Sequence, residues 1–219
     1  NPFLYYVILF KAYSILTAQE ALALNYIWPI MLVILSIPLL RQPITLKSIL
    51  ALVISFSGVF IIATGGDVLG FRFTNPAGVA LALSSTVVWA LYWIFNVRDR
   101  RDETAKLFLN FAFGFVLVLT ATMIFSSVSL PGTRGLIGIA YIGLFEMGVA
   151  FVLWLQALRL SETAAQVSNF VYISPFLSLV FIHLIVGERI APSTIIGLVF
   201  IITGILVQHY APRNRAIRI

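Results

Sequence analysis

The 219-residue sequence carries a partial copy of itself. Tyr26-Ile27-Trp28-Pro29 returns as Tyr172-Ile173-Ser174-Pro175, 146 residues later. At the same ungapped offset Leu9, Thr17, Ala18, Ile44, Ile49, Leu52, Val53 and Gly58 recur as Leu155, Thr163, Ala164, Ile190, Ile195, Leu198, Val199 and Gly204. A match held over that length at constant offset is a structural duplication. Both copies lie in long apolar runs, and duplicated halves of a membrane protein point to a transporter architecture.

Lipid is the solvent this chain is written for. Only 10% of its residues are charged and 61% are hydrophobic, with a mean hydropathy of +1.05. A soluble domain carries about 25% charged residues. Apolar runs of around 20 residues match a hydrocarbon core of roughly 30 Å. The sequence therefore predicts an all-α polytopic membrane protein with eight spans, near residues 2–16, 18–40, 45–64, 76–97, 105–127, 135–159, 162–186 and 192–211. Turn and charge signals separate them: Arg41-Gln42-Pro43, Gly65-Gly66-Asp67, Thr74-Asn75-Pro76, Arg98 to Glu103, Pro131-Gly132 and Gly187-Glu188-Arg189. Thr17 with Glu20, and Thr163 with Gln166, fit the capping box, so Glu20 reads as a cap before it reads as an ion site.

Register locates the duplication. The spans within 135–211 match those within 2–64, whereas 76–97 and 105–127 have no counterpart in the chain. Their equivalents would begin about 70 residues before Asn1. The expectation is a ten-helix, five-plus-five protein lacking its first two helices. Residues 1–64 are then the last three helices of the first repeat, 65–75 a connecting loop, 76–211 the complete second repeat and 212–219 a basic tail. Lys and Arg set the orientation. Arg41, Lys47, Arg98, Arg100, Arg101, Lys106, Arg159, Arg213, Arg215 and Arg218 fall on one side, against Arg72, Arg134 and Arg189 on the other. That bias places the C-terminus in the cytoplasm, and an odd number of spans per repeat inverts one half relative to the other. The same bias explains a pI of 9.9 without nucleic acid.

Chemistry has few places to sit. Pro29 and Pro175 fall near the middle of their spans. Each lacks an N–H and clashes with the carbonyl four residues back, which in lipid must find a partner or a lined cavity. A packing kink is the plain alternative; the matched positions favour a kinked, cavity-lining pair that acts as a hinge. Around them, Asn25 with Trp28 and Asn169 with Tyr172 stand at i, i+3, with Ser168 alongside. Ser85, Trp89, Tyr92 and Asn96 make a stripe at helical spacing. Aromatic faces with scattered amides and hydroxyls suit a partly apolar small solute, although each residue alone could equally be helix packing. Glu146, near the centre of its span, should face the interior, be protonated or have a partner. Lys11, His183, Trp154 and Gln156 lie nearer span ends, where snorkelling or simple hydrogen bonding explains them. Ala51, Gly58, Gly197 and Gly204, and Gly78 with Ala82, read as close helix packing.

Catalytic signatures are missing from the sequence. It has no cysteine, two histidines, no Gly-rich phosphate loop and no Ser/His/Asp set. No metal or cofactor is expected.

The Pro-centred spans 17–40 and 163–186, the Gly187-Glu188-Arg189-Ile190 turn and the final spans with Gly58 and Gly204 resemble the EamA-type repeat of the drug/metabolite transporter superfamily. Within it the sequence is similar to the YddG-type amino-acid exporters. In the first half the turn reads Arg41-Gln42-Pro43-Ile44, without the acidic residue. The resemblance implies two inverted five-helix halves around a cavity that would contain Tyr5, Tyr26, Trp28, Pro29, Trp154, Tyr172 and Pro175. It also implies a monomeric inner-membrane carrier, exporting amino acids or similar metabolites by alternating access, with lipid and a small solute as its partners and no nucleic acid. A multidrug or nucleotide-sugar carrier is the nearest alternative, and a polytopic enzyme or lipid-handling protein a more distant one.

Overall fold

A computed structural model describes residues 3–73, 75–126, 131–174 and 191–210, with isolated positions 177, 181 and 184. Its helices are α1 (Phe3–Tyr13), α2 (Ala18–Asn25), α3 (Trp28–Leu40), α4 (Leu46–Ala63), α5 (Pro76–Arg98) and α6 (Glu103–Phe125). Next come α7 (Thr133–Tyr141), a π-helical stretch (Ile142–Val149) and α8 (Ala150–Leu160) in one continuous rod. Then α9 (Ala164–Ser168) tightens into a 3-10 turn (Asn169–Tyr172), and α10 (Pro192–His209) closes the bundle. Among the described residues, six segments are long and apolar enough to cross a membrane: 23–40, 46–63, 76–98, 103–125, 133–160 and 192–209. Phe3–Tyr13 is a shorter apolar helix, and much of the seventh expected span, 162–186, lies outside the described residues.

Helix starts follow the local chemistry. Thr45, Asn75 and Asp102 accept from the backbone N–H groups of Ser48, Gly78 and Ala105 at 3.2, 3.1 and 3.0 Å. Each satisfies a donor that the first helical turn leaves over. The Thr17–Glu20 capping box forms in both directions. Thr17 N–H donates to Glu20 Oε2 at 2.8 Å, and Glu20 N–H to Thr17 Oγ1 at 3.3 Å. Its counterpart does not form, because Thr163 makes no side-chain cap. Gln42, in the turn after α3, supplies the acceptor instead: its Oε1 takes the Ala164 N–H at 2.8 Å. Gln166 Oε1 turns back to the Glu162 N–H at 3.2 Å.

The duplicated halves meet on a two-fold axis that can be read residue by residue. Ser55 of α4 donates to the carbonyl of Ile201 in α10, its own repeat equivalent, at 3.3 Å. A Cβ on Gly197 would come within 2.6 Å of the Gly58 carbonyl oxygen, and one on Gly204 within 2.6 Å of that of Ala51. Since Ala51 and Gly58 are the equivalents of Gly197 and Gly204, the exchange of halves maps this contact onto itself. Partner numbers rise on one helix as they fall on the other, so α4 and α10 are antiparallel. The repeat is therefore inverted, with small residues letting backbones touch where lipid gives no hydrophobic drive between helices.

Pro29 does not bend a continuous helix. The chain breaks at Tyr26–Ile27, and Pro29 occupies the first turn of α3, where its missing N–H is not needed. Ile27 N–H reaches the Leu24 carbonyl at 3.2 Å and Met31 N–H reaches the Ile27 carbonyl at 3.1 Å, closing the two ends. Asn25 and Trp28 consequently sit on either side of the break, not on one helix. In the second half the corresponding place is the 3-10 turn; Pro175 lies outside the described residues, as does His183.

Candidate functional site

The break in the first half and the 3-10 turn in the second face each other. The rings of Tyr26 and Tyr172, repeat equivalents, have centroids 6.5 Å apart. Tyr26 Oη lies 3.1 Å from Ser174 Oγ, the position equivalent to Trp28. The axis that crosses α4 and α10 thus also passes through the two irregular segments, where backbone leaves regular α-helix.

A continuous set of rings runs from α1 to these segments. Tyr5 stacks on Trp89 of α5 with centroids 4.3 Å apart, and Trp89 on Tyr92 at 5.4 Å. The edge of Trp93 meets Trp89 at 5.5 Å, and Trp93 leads to Trp154 of α8 at 6.3 Å. Trp154 meets Trp28, the first residue of α3, edge-on at 5.5 Å. Phe151 packs against Trp93 at 5.1 Å. Tyr5 Oη donates to Asn25 Oδ1 at 3.2 Å and ties α1 to the end of α2. Offset and edge-to-face pairs of this kind fix ring positions beyond simple burial.

Several polar atoms here are buried with no hydrogen-bond partner: both amide atoms of Asn169, Tyr172 Oη, Ser168 Oγ, and Nε1 of Trp93 and Trp154. Asn169 and Tyr172 stand three apart in the 3-10 turn, so their side chains eclipse on one face. An unmet buried polar group costs about 1–3 kcal/mol, so each of these atoms is a candidate point for a ligand or water to complete. Their chemistry is one amide with a donor and an acceptor, two hydroxyls and two indole donors. None carries a formal charge.

The site residues expected from sequence divide into three. Tyr5, Asn25, Tyr26, Trp28, Trp89, Tyr92, Trp154 and Tyr172 are brought into this set, with Pro29 at its edge, and Asn169 stands on the same 3-10 turn as Tyr172. Ser85 is buried on the same face of α5 but bonds its own helix, Oγ to the Ala82 carbonyl at 2.6 Å. Glu146 stands apart, exposed in the π-helical stretch. Asn96 turns to α6, its Oδ1 accepting from Asn110 Nδ2 at 2.8 Å. Trp93 and Phe151 were not in the expected set. Trp93 lies one turn after Trp89, so the helical stripe contained the signal.

Residues 1–64 and 76–208 match the profile described as the EamA-like transporter family. Among similar curated proteins, an "Uncharacterized transporter" of Clostridium kluyveri is 31% identical over 183 residues, covering 78% of this chain and 57% of that protein. Another of Archaeoglobus fulgidus is 26% identical over 191 residues, covering 82% and 63%. "Uncharacterized transporter YvbV" of Bacillus subtilis is 24% identical over 192 residues, covering 85% and 61%. The chain spans about three fifths of the length of these curated relatives. A solved structure described only as "Crystal structure of protein" superposes with a TM-score of 0.83 at 20% identity, covering 95% of this chain and 74% of that one. At that identity the likeness concerns the fold alone.

Proposed function

The chain belongs to the EamA-like transporter family, and on that premise we propose that it forms the core of a secondary carrier for amino acids with neutral or aromatic side chains, or for metabolites of similar size and polarity. The observation that carries this reading is the unpartnered Asn169 amide beside Tyr172 Oη, on the 3-10 turn facing the α2–α3 break. An amide offers a donor to a carboxylate and an acceptor to an ammonium group, while the rings of Trp28, Trp89 and Trp154 offer apolar faces to a side chain. Inverted halves that meet at two irregular segments suit alternating access, each half rocking against the other about the axis. Transport outward across a bacterial inner membrane, with the C-terminus cytoplasmic, follows from the Lys/Arg bias and the family resemblance.

A nucleotide-sugar carrier is the weaker reading, since the residues of the ring cluster supply no cation for a diphosphate. Equilibrium binding of labelled neutral amino acids to the purified intact protein tests the proposal. Asn169→Ala and Tyr172→Phe should each weaken binding about tenfold, the scale of one lost buried hydrogen bond. Binding of nucleotide sugars but no amino acid would overturn it.

A further inference from the structure

Next to the ring cluster, with which it shares Tyr92, a crevice of 450 Å³ opens between α1, α5 and α6 at the end of the bundle marked by the 99–102 turn. Its floor is polar: Asn96 and Tyr92 are only 6% and 5% exposed, and Asn110 joins Asn96 across to α6. Its mouth is an ion pair, with Arg101 Nε donating to Asp99 Oδ2 at 2.9 Å and to Oδ1 at 3.1 Å. Its walls include Leu4 and Phe95, 50% and 57% exposed.

We propose that this crevice is a phospholipid site, which takes the phosphate and ammonium of an ethanolamine headgroup at Arg101 and Asp99 and one acyl chain along Val88, Leu91 and Phe95. Three observations support this occupant over a dissolved solute. From Asp99, the residue that follows α5, down to Val88 is a rise of 11 positions, about 16 Å, close to half of a roughly 30 Å core. The charges lining the mouth cancel, which matches a zwitterionic headgroup and not an anionic one. Arg101 also keeps N–H donors beyond those spent on Asp99, since a guanidinium has five; Asp99 orients it without exhausting it. By the Lys/Arg bias this is the cytoplasmic leaflet, and the site stands whether or not the solute assignment above does.

The test uses the intact protein in mixed bilayers with a photoactivatable phosphatidylethanolamine that carries the reactive group on an acyl chain. Labelled peptides should map to 88–98 and to the facing part of α6, and stepwise delipidation followed by native mass spectrometry should leave phosphatidylethanolamine bound after phosphatidylglycerol is gone. Asp99→Asn should cut that preference about fivefold, the scale of one surface charge contact, while total protein stays monodisperse. Label spread evenly around the bundle, or equal retention of the two lipids, would overturn the proposal. So would displacement of the lipid by free phosphoethanolamine at low millimolar concentration, which would make the site one for a solute. Should Asp99→Asn aggregate, the wild-type map and lipid preference decide alone.

Discussion

Arg41 holds a left-handed backbone with φ of 53°, and it alone does so among the described residues other than glycine. The strain follows from a helix that must stop within one residue, its amide returning to the Ser36 carbonyl before Pro43 forces extended chain. Arg41→Gly should therefore stabilise the protein by up to about 1 kcal/mol, read as a higher midpoint of thermal unfolding in detergent. The turn that Arg41 makes presents Gln42 to Ala164 in the other repeat. Asp99 is the residue-scale case for pH. Hydrogen bonds from Arg101 hold its carboxyl down at about 2. A depressed carboxyl contributes above its ordinary pKa of about 3.9 and is lost only as pH falls through the lower value. The pair should then be unchanged between pH 5 and 8, and a carbon-13 titration of the Asp99 carboxylate should show a midpoint near 2. A midpoint near 4 would mean that Arg101 does not hold it.

At the scale of elements, two close contacts decide how helices sit. Lys106, buried near the start of α6, donates to the carbonyls of Asn96 at 2.9 Å and Asp99 at 3.0 Å, and so closes the C-terminal end of α5. The crossing of α4 and α10 depends on bare backbone at Gly58 and Gly197. Gly197→Ala should cost about 1–3 kcal/mol through overpacking, whereas Gly138→Ala, whose Cβ meets nothing within 4 Å, should be neutral or slightly stabilising. Equal effects of the two on thermal stability would contradict the close crossing. The aligned small residues made this interface legible in sequence, because a Cβ-free stripe has one physical use between membrane helices. The break before Trp28 was not legible in the same way. Mid-span proline is compatible with a kink or with the first turn of a new helix, and only backbone geometry distinguishes them. The Thr163 cap failed for a related reason: Gln42 is 122 residues away in sequence, and no local pattern contains a partner from the other repeat.

For the whole molecule, the constant repeat offset carried the architecture, and the self-mapping contacts at Ser55–Ile201 and Tyr26–Tyr172 give it geometry. Glu146 shows where that reasoning stops. A carboxylate in an apolar span must be satisfied, but hydropathy says nothing about which face it takes, and here it is exposed. Topology is open to direct test: alkaline phosphatase fusions within 65–75 should be active, and those at 99–102 or at Ile219 inactive. The central claim, that the two irregular segments form a solute site in a carrier, meets its most direct measurement in counterflow. Proteoliposomes of the intact protein preloaded with an unlabelled neutral amino acid should accumulate the labelled form transiently, and Asn169→Ala should reduce the initial rate about tenfold. No counterflow with any amino acid, or undiminished counterflow in Asn169→Ala, would contradict it.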